Sequence, residues 1–373
     1  MIYFDNAATT PLAPEVISVM HQVMTEIPGN PSSTHALGRK ARVLIEDARL
    51  TVAGILKVSP AEIFFTSSGT EALNTVLFSA VLDSRIKNII SSRLEHHAVL
   101  HTLEIIDKRG WANVHFVNTD AAGHVSLIHL EELLSENEKS MVCLMLANNE
   151  IGNLLPYKEV AELCHKNDAL FLTDAVQAVG KMKLNLANSG IHFAACSGHK
   201  FHGPKGIGIL YINKDVTISP LIYGGGQERE MRSGTENIYG IAGIAKAMEV
   251  SYASFDEKTA HLRALKNRMI EALKLNFSGA IFNGDCESNG LINLLSVSLP
   301  TKSRSEMLLQ RLDMDGVAVS GGSACSSGAL GTSHVMDALG KNHELPVIRI
   351  SFSRYNTFEE VDQFIEVLKK AYK

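Results

Sequence analysis

No apolar run in this 373-residue sequence approaches the roughly 18 residues of a membrane-spanning helix. The start, Met1-Ile2-Tyr3-Phe4-Asp5-Asn6, lacks the basic and long apolar stretches of a secretory leader. Cysteine is scarce: Cys143, Cys164, Cys196, Cys286 and Cys325 are scattered, odd in number and form no CxxC pair. A disulfide framework or a metal site is therefore not expected, and a reducing cytoplasm is the expected home. There is no basic excess either, since the formal net charge is -5. Direct nucleic-acid binding has no electrostatic support, and neither does a membrane partner. Internal repeats and low-complexity tails are also missing.

What is present is the composition of a globular protein, 45% hydrophobic and 20% charged, on a chain long enough for two domains. Between about residues 60 and 215, short β-rich runs alternate with helical patterns. Strands are expected at 88–92, 114–117, 141–147, 169–173 and 207–212, and helices at 127–134 and 157–166. Continuous apolar strands between helices predict an α/β fold, a mostly parallel sheet covered on both faces. Helical stripes over 41–55, 242–250 and 262–273 flank this region, with a polar break at 251–257. The remainder predicts a smaller α+β part: strands at 291–299 and 347–352, a helix at 306–314, and a last helix opened by the capping box Thr357 to Glu360.

The most informative stretch is Ser197-Gly198-His199-Lys200-Phe201-His202-Gly203-Pro204. A lysine among small and hydroxylated residues suits pyridoxal phosphate (PLP), which needs one amine for a Schiff base and donors for its phosphate. A plain surface lysine in a glycine-rich turn is the bland alternative. Ser67-Ser68-Gly69-Thr70-Glu71 follows a strand and opens a helix, so its amides and the Thr70 hydroxyl suit a phosphate. Asp174 ends an apolar strand, where a buried carboxylate needs a cation such as a pyridinium nitrogen, and Gln177 lies one turn on. Glu95-His96-His97 also follows a strand, and one imidazole there suits stacking on a ring and proton transfer. Adjacent histidines rarely ligate one ion, so no metal is expected.

Taken with Tyr3 to Thr10, Gly29-Asn30-Pro31-Ser32-Ser33, Asn148-Asn149-Glu150-Ile151-Gly152, Arg232-Ser233-Gly234-Thr235-Glu236-Asn237 and Ser323-Ala324-Cys325-Ser326-Ser327-Gly328, the chain resembles the class-V aminotransferase-like cysteine desulfurases of the NifS/IscS type, group I. The resemblance runs over essentially the whole chain. It implies the PLP-dependent transferase fold of type I, with a seven-stranded sheet in a large domain (14–255) and a small α+β domain (1–13 with 256–373) carrying the cysteine loop. It implies Lys200 as the Schiff-base lysine, Asp174 as pyridinium partner, Gln177 as ring-oxygen donor and His96 as stacking residue. Gly69, Thr70, Ser197 and His199 would hold the phosphate, and Thr235 the phosphate of a neighbouring subunit's cofactor in a homodimer. Arg349 and Asn149, with Ala8 and Asn30, would receive the substrate, L-cysteine.

Cys325 lies in a run of small residues with no packing stripe, unlike Cys143 and Cys164 in apolar patterns. The resemblance makes it the thiol that takes the sulfur of cysteine as a persulfide, releasing alanine. The sulfur would pass to an acceptor protein, an iron–sulfur scaffold or a tRNA-thiolation protein. Gly322, His97 and the stretch from Gly340 to Arg349 with Pro346 depart from the family's usual pattern. Alternatives are a selenocysteine lyase or aminotransferase of the same fold, or a non-catalytic sulfur-assembly subunit. Cys325 argues against the aminotransferase, and Lys200 with Cys325 against the inactive subunit.

Overall fold

The computed structural model describes residues 1–83, 86–300, 305–321, 333–341 and 345–372. Cys325 and Gly322 lie outside the described residues. The chain opens with a short strand β1 (Ile2–Tyr3) and helices α1 (Pro14–Glu26) and α2 (Ala36–Leu56). Alternation then sets in, with β2 (Ile63–Thr66), α3 (Gly69–Leu82), β3 (Asn88–Ser91), α4 (His97–Lys108), β4 (Asn113–Phe116), α5 (Leu127–Glu136), β5 (Ser140–Cys143) and α6 (Tyr157–Lys166). It continues through β6 (Leu170–Asp174), β7 (Phe193–Ser197) and β8 (Gly208–Ile212) to the long helices α7 (Ile238–Tyr252) and α8 (Phe255–Asn276). The last part comprises β9 (Ile281–Phe282), β10 (Leu294–Ser298), α9 (Ser305–Met314), β11 (Val317–Ala318), α10 (His334–Ala338), β12 (Val347–Ser351) and α11 (Phe358–Tyr372).

Seven strands form one sheet in the order β2-β8-β7-β6-β5-β3-β4. The pairs from β4 through β3, β5 and β6 to β7 are parallel, and β8 runs antiparallel to both β7 and β2. Successive side chains of a strand face opposite sides, and here both sides are apolar. Ile90, Val142 and Phe171 pack with Val16 of α1, Ile45 of α2 and Ile241 of α7. Their neighbours Ile89, Met141 and Leu172 pack with Leu73 of α3 and Leu103 of α4. Burial on both faces is why these strands read as unbroken apolar runs.

A second core gathers Leu273 of α8, Leu295 of β10, Ile350 of β12 and Phe364 of α11. It is built on the antiparallel sheet β12-β10-β9. Ile2 and Phe4 belong to it, with the Phe4 ring edge-on to Phe352 and Phe364 at 5.2 and 5.7 Å between centroids. The N-terminus is thus anchored in the C-terminal core, and residues 5–10 cross to the large sheet. Between α7 and α8 the helix breaks at Ser254, whose φ of 49° is left-handed, inside the polar interval expected at 251–257. The capping box is formed: Thr357 Oγ1 accepts from Glu360 N at 3.2 Å, and Glu360 Oε2 from Thr357 N at 3.0 Å. Two strands are shorter than their apolar runs. β5 stops at Cys143, and β10 begins at Leu294 because Leu291 instead donates its N–H to Gly152 O. Among the described residues, no helix is long and apolar enough to cross a membrane.

Candidate active site

Four strand ends converge where parallel strands of open α/β sheets present their C-termini to ligands. β6 ends on Asp174, and β7 runs into the single helical turn 198–200 that holds His199 and Lys200. β2 leads to Ser68, whose Oγ caps α3 by accepting from Glu71 N at 3.2 Å. The Ser68 cap engages Glu71 N–H and leaves the first amides of α3, at Gly69 and Thr70, for another acceptor. A side chain at Gly69 would crowd this turn, because a Cβ would lie 2.7 Å from Val176 Cγ2, beside the turn that follows Asp174. β3 leads to His96, which caps α4 by accepting Ala98 N–H on Nδ1 at 3.0 Å. That bond leaves the ring proton on Nε2.

The segment 5–10 crosses this edge and ties the groups together. Lys200 Nζ donates to Ala7 O at 2.7 Å and Ala8 O at 2.8 Å. Gln177 Nε2 donates to the same Ala7 O at 2.8 Å. Thr10 Oγ1 donates to His199 O at 2.9 Å, and the His199 ring meets Thr9 Oγ1 at 3.2 Å. Asp174 is 6% exposed and accepts Val176 N–H at 2.9 Å. Burial pushes its carboxyl up to about 6, against the pull of the Val176 amide and of Lys200. Burial first, and the Lys200 charge second, hold His96 and His199 down at about 4. His96 therefore stands neutral at pH 7, a donor through Nε2, which narrows the proton-carrying role expected from sequence. Ser197 is buried at the end of β7.

Arg349, on β12, is 1% exposed. Its Nη1 donates to Asn149 O at 2.9 Å and its Nη2 to Asp5 Oδ1 at 3.1 Å, while among the described residues the buried Nε–H has no hydrogen-bond partner. A buried donor left open in this way is costly, and a carboxylate is the group that satisfies it. Asp5 also accepts from Ser320 Oγ at 2.6 Å.

The structure thus brings Lys200, Asp174, Gln177, His199 and Ala8 together and carries Arg349 and Asn149 to the same N-terminal segment. Thr70 is exposed at the start of α3. Thr235 is exposed in a loop that Arg232 ties to Glu71 of α3 at 3.0 Å. Asn30 is exposed, and its Oδ1 accepts Ser32 N–H within its own loop. Sequence reasoning missed Asp5, Ala7, Thr9 and Lys181. Lys181 is 8% exposed and donates to Gln177 Oε1 at 3.0 Å and to Gln177 O at 3.1 Å. It also missed the surroundings of His97, whose ring lies 4.5 Å from His334 and 4.7 Å from His101. Beside it, Ser333 Oγ donates to the buried Glu150, and burial raises Glu95 well above the ordinary carboxyl range. Among the described residues, no group of metal-ligating side chains is assembled.

The residues fit pyridoxal phosphate: a buried carboxylate in need of a cation, a lysine beside it, and an open helix start with a neutral imidazole at the phosphate end. A mostly parallel sheet with this lysine after β7 defines a PLP-dependent enzyme of fold type I. The aminotransferase class-V family profile matches residues 2–364. The chain is 40% identical over 371 residues to a cysteine desulfurase IscS of Methanosarcina thermophila, covering 98% of this chain and 91% of that protein. It is 39% identical over 373 residues to the IscS of Dictyoglomus turgidum, covering 99% and 94%. A solved NifS-like protein superposes with a TM-score of 0.92 at 40% identity, over 99% of this chain and 98% of the other. The NifS-like protein of Rickettsia africae superposes at 0.90 with 31% identity, over 100% and 99%. The chain belongs to the class-V aminotransferase family, among its cysteine desulfurases.

Proposed function

We infer that this protein is a PLP-dependent cysteine desulfurase, converting L-cysteine to L-alanine and passing the sulfur to an acceptor. The observation that carries this reading is the N-terminal segment, which holds the Lys200 amine on Ala7 and Ala8 and the Arg349 guanidinium on Asp5. An amine that captures the cofactor and a fork that captures a carboxylate are thereby fixed on one rigid frame. When bound at Lys200, pyridoxal phosphate supplies an electron sink for the amino-acid carbons. Asp174 would pair with its ring nitrogen and keep that nitrogen protonated, and Gln177 Nε2 would donate to its ring oxygen. The α3 amides of Gly69 and Thr70, with Ser197 and His199, would hold its phosphate. His96 would lie against the ring, with Nε2–H as its donor. Arg349 receives the substrate carboxylate on its open Nε–H, with Asn149 and Ala8 alongside and Asn30 at the entrance. Lys200 moves the α-proton.

Cys325 takes the sulfur. A new S–S bond forms as the substrate's carbon–sulfur bond breaks, so that thiol plus cysteine become persulfide plus alanine, and atoms balance. The four described cysteines support this by contrast: all are buried. Burial pushes the Cys164 and Cys196 thiols up to about 12, and Cys143 and Cys286 upward as well. Such thiols are poor nucleophiles.

The active form in this reading is a cytoplasmic homodimer. Ile17, Met24, Leu37, Val43 and Leu50 of α1 and α2, with Tyr223, expose apolar surface that a second copy would cover, and Thr235 would reach the second copy's cofactor phosphate. The large unit is 14–255 and the small one 1–13 with 256–373. Purified protein given L-cysteine and a reducing thiol should release alanine and sulfide in equal amounts. Cys325→Ala should keep the visible cofactor band and release no sulfide. Undiminished sulfide from Cys325→Ala overturns the persulfide assignment.

A further inference from the structure

Lys181 is a buried lysine that the chemistry above does not use, and three hydrogen bonds connect it to Lys200. Lys181 Nζ donates to Gln177 Oε1 at 3.0 Å, Gln177 Nε2 donates to Ala7 O at 2.8 Å, and Ala7 O accepts from Lys200 Nζ at 2.7 Å. When protonated, Lys181 only donates, so the amide atom facing it is then the oxygen. Gln177 is left with its N–H donors as the only face it shows to the site. The second bond of Lys181, to Gln177 O at 3.1 Å, prevents the ammonium from following the amide if it flips.

Its charge matters as well. Lys181 lines a cavity of about 50 Å³ together with Lys200, Lys258 and Arg354, and among the described residues no aspartate or glutamate lines it. We propose that Lys181 is a positioning residue for the cofactor, fixing Gln177 Nε2 toward the ring oxygen and bringing a second amine, cationic when protonated, to the cavity that Lys200 lines. Both effects act in one direction. A donor on the ring oxygen stabilises the oxyanion that would otherwise hold the Schiff-base proton, and a neighbouring cation disfavours that proton directly. Burial, and then the charge of Lys200, pull Lys181 down to about 7, and an interaction of charges is reciprocal.

This inference rests on Lys200 as the Schiff-base residue, and the experiment separates the two. The visible absorption of cofactor-loaded protein is titrated against pH in the parent, Lys181→Met and Lys181→Arg, with thermal unfolding as a control. The midpoint is expected to rise by about one pH unit in Lys181→Met and to return close to the parent in Lys181→Arg. Should Lys181→Met not fold, Lys181→Gln is read in its place, with the same upward shift expected. An unmoved midpoint in a folded, cofactor-loaded variant overturns the role of Lys181. A parent protein without any Schiff-base band overturns Lys200 instead.

Discussion

Arg349 of β12 and Asp5 of the N-terminal segment meet at 3.1 Å, a pair joining residues 344 positions apart in sequence. Asp5 is the carboxylate that the described residues place on this guanidinium. Removing the partner of a buried charge is more damaging than the pair is favourable. Asp5 keeps some solvent contact, so Asp5→Asn should cost about 2–3 kcal/mol of stability, below the full range for buried pairs. The loss should be partly restored by L-alanine, whose carboxylate supplies the missing anion. The check is the shift in thermal midpoint on adding alanine. It should be larger in Asp5→Asn than in the parent, and equal shifts would disprove the shared guanidinium.

The frame under the cofactor edge rests on a second buried pair. Arg49 of α2 and Glu228 are 1% and 2% exposed and meet through two bonds of 2.9 Å. Glu228 also accepts Phe65 N–H at 2.8 Å, and Arg49 donates to Ile63 O at 2.7 Å, so the pair clamps β2 just before the turn into α3. Glu228 adopts φ 44°, a left-handed conformation that its neighbours alone would not favour. Arg49→Met should leave the buried Glu228 with the Phe65 amide but without its paired guanidinium, and cost about 3–5 kcal/mol. Urea unfolding of the cofactor-free protein measures this, and a loss under 1 kcal/mol would mean that water reaches Glu228.

Much of this architecture was legible because strands buried on both faces leave continuous apolar runs, as in 88–92 and 169–173. The acid at the end of one run and the lysine after the next were legible for the same reason, and the structure brings both to one edge of the sheet. The antiparallel insertion of β8 between β7 and β2 was not legible, since a strand's own pattern does not record its neighbours. Residues 3–10 stood out as a motif, but their hold on Lys200 did not: Ala7 and Ala8 accept from it through backbone carbonyls, and an alanine advertises nothing about its oxygen. Lys181 reads as one more polar residue after a turn, and only its burial distinguishes it.

Asp174 gives stability a pH dependence that the cofactor should reverse. Unfolded, its carboxyl releases its proton near 3.8; folded and without cofactor it holds the proton to about 6. Between those values the folded state binds more protons, so its contribution to stability falls as pH rises, by about 3 kcal/mol in total. His96, His199 and His202, all held at about 4, act oppositely: their contribution is full above 6.5 and lost as pH falls through 4. Comparing Asp174→Asn with the parent isolates the carboxylate. Without cofactor the variant should be the more stable at pH 7, and with cofactor the order should reverse if, as proposed, the aspartate pairs with the ring nitrogen. Urea midpoints with and without pyridoxal phosphate decide it, and an unchanged order would remove Asp174 from the ring nitrogen.

Gly69 tests the phosphate end without touching a charged group. A methyl there would sit 2.7 Å from Val176 Cγ2, closer than packed carbons approach. Either the first turn of α3 moves away from β6, or Val176 moves, and Val176 follows Asp174 by two residues. Gly69→Ala should therefore weaken cofactor binding by about tenfold, roughly 1.4 kcal/mol, while the methyl itself favours the helix. Val176→Ala removes the opposing methyl, so the double variant should bind cofactor nearly as the parent does. The two changes would then be strongly non-additive, as expected of residues in contact. Fluorescence titration with pyridoxal phosphate gives the four dissociation constants. Additive losses would show that α3 does not set the phosphate position through this contact.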